Sequence, residues 1–559
     1  MFIGHATADI VVACLKEEVL EFLKLQDLLQ ISMDGPAVNW KIFKNIDGDV
    51  NRDFGHSLIN IGSCGLHVLH NAFKAGEGKT DWGISSLLSS LYYLVKDAPA
   101  RREDFLNCSD SKLLPLKFAK HRWLENVPVC RRALQIWPTV VKYVQKVQAK
   151  EMSKPTCKSF DIVKQAVKDK KILVKLEFFC MIASILQPFL EHFQTDKPMV
   201  PFLASDLAAV VKSLMRKFIK SEVLEAANSQ EKLCEIEITK TDNHVPYSKI
   251  DVGLQTENAL KNVTSISQKE LLDFKMECKA FLVGALTGIL KKSPITYSLV
   301  RNMACLDPRL MATDKQKCHN MFKRLMKLLI AANRVNGSYA DQLIEQYDSF
   351  LDSVPNIGTD VFLNFAPYHQ SLDQFLANYV PNQYRELFGV FKLLLILSHG
   401  QASVERGFSV NKEIECENLK AESLVAQRII CDYVRIAGGV LKVPMTNQLL
   451  VSAASARQRY TSFLESQREK NKLDTEKSKR KDLLDDISDI KKRKKQIDTD
   501  VEHLNKTTET LLEKAEQTGQ LKFLCEGNAN RRRMKEKKVL AADLQKQIDE
   551  KVDSLKTNC

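Results

Sequence analysis

The 559 residues hold 14 cysteines but no C-x-x-C pair. Scattered singly through a chain this long, they read as reduced, intracellular thiols and not as a disulfide framework. No run of about 18 uncharged apolar residues occurs, so no membrane span is expected. Ile172–Leu190 comes closest and is interrupted by Lys175, Glu177 and Gln187. The start, Met1-Phe2-Ile3-Gly4-His5, lacks the basic stretch and apolar segment of a secretory signal. No fixed-period repeat is found, which argues against a solenoid. Between Thr446 and Cys559 there is no proline at all, so nothing of that kind interrupts a helix there.

What is present is a 44% hydrophobic chain, enough to build sizeable cores, in roughly two to four domains. The net charge of +13 and pI near 8.9 favour an anionic partner, nucleic acid before a membrane surface. Residues 1–143 mix helix and strand signals. Thr7 can cap a helix carrying Val11, Val12, Leu15, Val19 and Leu20 at helical spacing. Leu28–Met33 and Ser57–Ser63 read as short strands, the first ending at the turn signal Asp34-Gly35-Pro36, and Cys64–Ala75 reads as a helix. Residues 144–367 are mainly helical, with amphipathic stretches at Phe160–Phe193, Leu203–Ala227, Lys269–Lys292 and Lys315–Ala332, and a polar loop or linker at Asn228–Val263. Residues 368–445 contain the apolar run Phe391–Leu397. Residues 446–559 form a basic tail, with 26 Lys and Arg against 20 Asp and Glu from Arg457 onward. Leu483, Ile490, Ile497, Leu504 and Leu511 recur every seven residues there. A poorer second seam runs through Ile487, Lys494, Val501 and Thr508. Together they predict a long helix in a modest coiled coil, broken at Gly519 and at Glu526–Asn530.

Several short motifs admit two readings. Asp34, at the end of an expected strand, can project toward a metal, or serve the Asp-Gly turn. Cys64 and His67 share one helix face and can ligate a metal, or be a packed thiol and an imidazole bonded to the neighbouring loop. Arg122-Trp123 offers a phosphate clamp beside a stacking surface, or a surface Arg next to a half-buried core Trp. Asp307-Pro308 has the chemistry of a helix start. Glu405 falls in a helix expected to begin near Ala402, where a solvated Glu beside Arg406 is the plain alternative. The clusters Lys491–Lys495 and Arg531–Lys535 read equally as nucleic-acid or nuclear-import patches and as solvated helix faces.

Taken in order, Asp34, Cys64/His67, Arg122-Trp123, Leu306-Asp307-Pro308-Arg309 and the block Glu405-Arg406-Gly407-Phe408-Ser409 resemble the elements of hAT-family transposases over residues 1–441. The resemblance implies an RNase H-like catalytic domain with a helical insertion before its last carboxylate. It implies Asp34 and Glu405 as the second and third members of an Asp-Asp-Glu set holding two magnesium ions. It places Cys64, His67, Arg122 and Trp123 near DNA, and Arg406, Phe408 and Ser409 in a dimerisation region, together with Phe391–Leu397 and Leu419–Val434. The family's first Asp lies well upstream of Asp34, where this sequence offers only Asp9, in an expected helix. The chain is therefore expected to begin after the first three strands of that domain, with too few carboxylates to hold the magnesium pair.

The resulting expectation is a mostly α protein. It has a truncated RNase H-like α/β portion at 1–143, a helical insertion at 144–367, a dimerisation region at 368–445 and a coiled-coil tail at 446–559. It is a degenerate, non-catalytic, transposase-derived protein with no bound cofactor, magnesium having served the ancestral enzyme. Its partners are a second copy of itself and DNA, not a membrane, and its location is nuclear in preference to cytoplasmic. The competing readings are an active magnesium-dependent transposase whose N-terminus is missing, and a coiled-coil adaptor.

Overall fold

The computed structural model describes residues 7–19, 22–109, 111–119, 126–264, 266–416 and 419–557. Helices dominate them and no strand is formed, so the mostly α architecture stands. The chain divides into two compact units, Met1–Cys431 and Asp432–Cys559.

In the first unit, α1 (Ala8–Glu18) starts where Thr7 accepts a hydrogen bond from the Ile10 amide. It packs on α2 (Ala37–Phe54), and Val12, Ile42, Phe43, Ile46 and Val50 bury a small separate core between them. The main core runs without interruption from Ile59 to Leu397. Its centre is α3 (Gly65–Glu77) laid against α8, with α4 (Ile84–Val95), α5 (Val127–Gln148), α6 (Ile172–Phe193) and α7 (Val200–Met215) around it. Helix α8 (Gln268–Lys292) opens with a capping box, in which Ser267 and Glu270 satisfy each other's backbone amides. Then come α9 (Lys315–Ala331), α10 (Gly337–Leu363) and α11 (Arg385–Leu395). The boundary drawn at residue 143 falls inside α5, so one core serves both sides of it.

Helix α6 is long and apolar enough to cross a membrane by length and composition. Its Leu176, Phe178, Phe179, Ile182 and Leu186 are buried among the other helices, which accounts for that composition as core. The stretch Asn228–Val263, expected to be a loop or linker, instead holds the short helices Gln230–Glu235 and Leu254–Lys261 and docks Leu233, Ile238, Ile250 and Val252 into the core.

The two expected strands are extended chain that never becomes a ladder. Only two backbone hydrogen bonds join them, from the Ile59 amide to the Leu29 carbonyl (2.8 Å) and from the Cys64 amide to the Met33 carbonyl (3.0 Å). Their spacing differs by one residue, and the cause lies between them. Asn60 accepts from the Gly62 amide in an Asx turn, and Gly62 takes φ +87° with the Tyr297 ring where a Cβ would sit. Arg334 occupies other positions that a neighbouring strand would use, donating to the carbonyls of Leu28 (2.7 Å) and Ser57 (2.8 Å).

The first unit closes with α12 (Ala402–Ile414) and most of α13 (Ala421–Ile436), which contains the division between units, and the second unit ends in a helical hairpin of α14 (Ala456–Thr518) and α15 (Leu521–Thr557). Gly519 at φ +67° makes the turn. The second expected break does not occur: Glu526–Asn530 lies within α15, its Gly527 packed on Leu512. Both seams of α14 face its partner helix in this hairpin, but the poorer one is the more covered: Ile487, Thr508 and the following Ala515 are buried, as are Ala541 and Ile548 of α15, whereas Leu483, Ile490, Ile497, Leu504 and Leu511 are half-buried. Ion pairs Lys537–Asp500 (2.5 Å) and Lys551–Asp486 (2.6 Å) fix the register. The coiled-coil partner of α14 is therefore the same chain.

The α3–α8 contact is set by small residues. A Cβ on Gly76 would lie 2.8 Å from the Phe281 carbonyl oxygen, and one on Gly288 3.1 Å from the Ala72 Cα. Gly76→Val forces the two backbones apart and is expected to lower unfolding stability by about 1–3 kcal/mol, in proportion to the overpacking. Gly48, inside α2 with open space around it, is the converse case. Gly48→Ala should raise stability by about 0.5–1 kcal/mol. Urea unfolding measures both, and equal effects would contradict the crossing geometry.

Candidate functional site

Three segments far apart in sequence meet at the N-terminus of α3. Residues 30–35 lie beside 63–67 through the Met33–Cys64 backbone bond, and a Cβ on Gly35 would sit 3.6 Å from Ser63 Oγ. Residues 398–406 close the other side. Gln30 Oε1 accepts from the Ser398 amide (2.7 Å), while its Nε2 donates to the Ser398 carbonyl (3.1 Å). Ser32 Oγ donates to the Gly400 carbonyl (3.3 Å). A Cβ on Gly400 would sit 3.7 Å from Cys64 Sγ. The residue between Ser398 and Gly400, His399, is buried and donates from Nε2 to the Phe193 carbonyl at the end of α6 (2.9 Å). Burial lowers its pKa, so the neutral ring that makes this bond is favoured.

Within that frame Cys64 precedes the first turn of α3 and is buried. Burial raises its pKa, against the backbone amides of His67, Leu66 and Gln401, which favour the thiolate; the nearby Glu405 carboxylate pushes it further up. His67 Nε2 is 3.8 Å from Glu405 Oε1. Its other ring nitrogen, Nδ1, is buried without a hydrogen-bond partner among the described residues. The structure thus brings together Cys64, His67 and Glu405. Asp34 stands at the same edge, where its carboxylate accepts from the Asn39 side chain just inside α2.

The donors do not fit a magnesium pair. Among the described residues no group of three or more His, Cys, Asp or Glu side chains is placed to hold a metal ion. Around Glu405 the neighbours are a thiol and an imidazole, softer than the all-oxygen set magnesium requires.

Arg122 and Trp123 lie outside the described residues. Asp307 caps the helix Pro308–Thr313 through the Arg309 amide (3.0 Å), and its carboxylate pairs with the Arg309 side chain (2.8 Å), which is the helix-start role. Arg406 forms an ion pair with Asp196, just past α6, so it anchors α12 within the first unit. Phe408 is 66% exposed and Ser409 is exposed. Arg428 of α13 donates to the Gly407 carbonyl (2.8 Å) and to Asn411 Oδ1 (2.6 Å), tying α13 to α12. The apolar run Phe391–Leu397 is not a free surface: Phe391, Leu394 and Leu397 are core, and Ile396 alone of them is an exposed large hydrophobic. Sequence reasoning missed Gln30, Ser32 and Asp196, whose residue types carry no signal of their own. Gln401 and His399 lay in the block next to Glu405 and were legible as its neighbours. No protein family, curated protein or solved structure matches this chain.

The burial of Cys64 has a direct readout. With an aromatic disulfide reagent at pH 8, exposed Cys416 and Cys525 should react first, with Cys64 slower by at least about tenfold. Because its pKa is raised, the Cys64 rate should climb as pH moves from 8 to 9.5. Peptide mapping that finds Cys64 labelled as fast as Cys416 would rule out the packing described.

Proposed function

We propose that this chain is a transposase-derived protein of hAT type that no longer cuts DNA and acts by self-association, with nucleic acid as its second partner. The observation that carries the reading is the uncovered apolar side of α12 and of the first-unit part of α13. Neither helix buries a residue, and Val404, Phe408, Val425, Ile429 and Ile430 are exposed, the last two at 63% and 61%. Helices that long with aliphatic and aromatic side chains in water gain by pairing with a like surface. A second copy supplies that surface. The hairpin of α14 and α15 closes its own seam, which favours α12 and α13 over the tail as the surface for self-association in this reading.

Two further features support the reading. The meeting of Cys64 and His67 with Glu405, more than 330 residues further along the sequence, accords with a common ancestral site. The net charge of +13, with Lys491–Lys495 and Arg531–Lys535 on the two helices of the hairpin, suits a polyanion such as DNA. Asp34 bound to Asn39 and Glu405 beside His67 give no basis for a metal-dependent step in this chain. A nuclear location goes with this reading.

In sedimentation velocity at micromolar concentration the chain should run as a dimer, and Phe408→Asp with Ile429→Asp should convert it to a folded monomer. A wild-type chain that stays monomeric under these conditions would end the proposal. The purified chain should also leave DNA intact in magnesium, and Asp34→Ala or Glu405→Ala should change nothing. Magnesium-dependent strand cleavage that either variant abolishes would instead favour the enzyme.

A further inference from the structure

A cavity of about 700 Å³ lies in the first unit between α7, α9 and the chain segments 224–233 and 298–307. Its size falls in the range of small-molecule sites, roughly 300–1,000 Å³. One wall is a smooth face of α7, where Ser205, Ala208, Ala209 and Lys212 follow one another at helical spacing. Another wall is the Lys317, Met321, Arg324 face of α9, on which Lys317 and Arg324 are two turns apart, about 10 Å of helix rise.

The charges of this lining do not cancel. Arg301 is committed to the Ile295 and Thr296 carbonyls (2.9 and 2.8 Å) and to Glu231 (3.1 Å). Asp307 is neutralised by Arg309. That leaves Lys212, Lys317 and Arg324, with no ion pair among the described residues, against the single carboxylate of Glu225. Side-chain hydroxyls and amides of Ser205, Ser229, Ser298, Asn228 and Gln230 complete a polar rim over Leu224, Leu233 and Leu310. Among the described residues no Phe, Tyr, Trp or His lines the cavity, so there is no ring on which a nucleobase can stack.

We propose that this cavity binds a small aliphatic polyphosphate, of the inositol polyphosphate class, with Lys212, Lys317 and Arg324 as its phosphate contacts. Three cations from two helices match several phosphates on one compact ring, and the serine and amide groups match its remaining oxygens. The site is independent of the dimer surface and of the residues around Glu405. The same chemistry occurs free in solution or as a phosphoinositide lipid headgroup.

Isothermal titration of the full chain with inositol hexakisphosphate should give one site. Lys317→Ala with Arg324→Ala should weaken it at least about tenfold, as expected for loss of charge-assisted contacts. Lys212→Ala alone should weaken it less, and Lys491→Ala with Lys492→Ala in the tail should leave it unchanged. Circular dichroism checks that each variant is folded. ADP should bind more weakly than the inositol phosphate. Co-sedimentation with phosphatidylcholine vesicles, with and without phosphatidylinositol bisphosphate, separates the sources: pelleting that depends on Lys317 and Arg324 identifies the headgroup, and its absence beside tight binding in solution identifies the free compound. Absence of binding, affinity unchanged in the cavity variants, loss in the tail variant instead, or tighter binding of ADP would each overturn the proposal.

Discussion

The first unit depends on how closely α3 and α8 approach. Ala72 and Gly76 on one helix face Gly284 and Gly288 on the other, each pair four residues apart. With no side chain beyond a methyl between them, the backbones come nearly into contact, as in small-residue helix crossings generally. Around that contact the aromatic residues Phe73, Phe179 and Phe281 pack edge to face, and Trp82 stacks on Phe274 at 5.7 Å while donating to Glu277. A larger residue at the crossing would displace this cluster, and with it both ends of α3.

One of those ends is the candidate site. Cys64 just precedes α3 and His67 rides on its first turn, so their position is inherited from the crossing about two turns away. The other contributors arrive on chain without regular structure. Residues 30–35 and 398–400 are held by side chains bonding to backbone, Gln30 to Ser398 and Ser32 to Gly400, and by the buried His399 pinned to α6. A rigid helix and two stitched segments therefore hold residues near 34, 64 and 405 together without any sheet.

Much of this was legible in the sequence, and the reasons for the rest are specific. Helical periodicity located α8 and α9 nearly to the residue, and the folded chain shows their starts fixed by the side chains of Ser267 and Asp314. Thr7 and Asp307 were readable for the same reason. Ser57–Ser63 has strand-like composition, but the Asn60–Gly62 turn inside it responds to Tyr297, more than 230 residues away, which no local pattern reveals. The run Phe391–Leu397 looked like an interface because apolar composition does not say whether the covering partner is another molecule or the same one. Here it is Phe322, Tyr347 and Phe350 of the same chain. Likewise the seven-residue seam of α14 announced a partner helix but not that it lay just beyond Gly519. In the candidate site, the sequence marked Cys64, His67 and Glu405 individually; that His67 faces Glu405 came only from the folded chain.

The hairpin's two arms are unequal, with 63 residues in α14 and 37 in α15. Some 26 residues at the start of α14, about 39 Å of helix, therefore extend past the end of its partner. That stretch has almost no covered side chains and beyond its own backbone bonds is tied down chiefly at its start, where Arg459 donates to the Ser452 carbonyl, whereas the paired portion shares a seam and two ion pairs. Helix without a packed face lacks the main source of helical stability in proteins. A protease cutting there would free the paired arms as an intact fragment, and on heating the stalk would fray before the arms separate. The tail is thus built as a tethered rod with a weak link at its base.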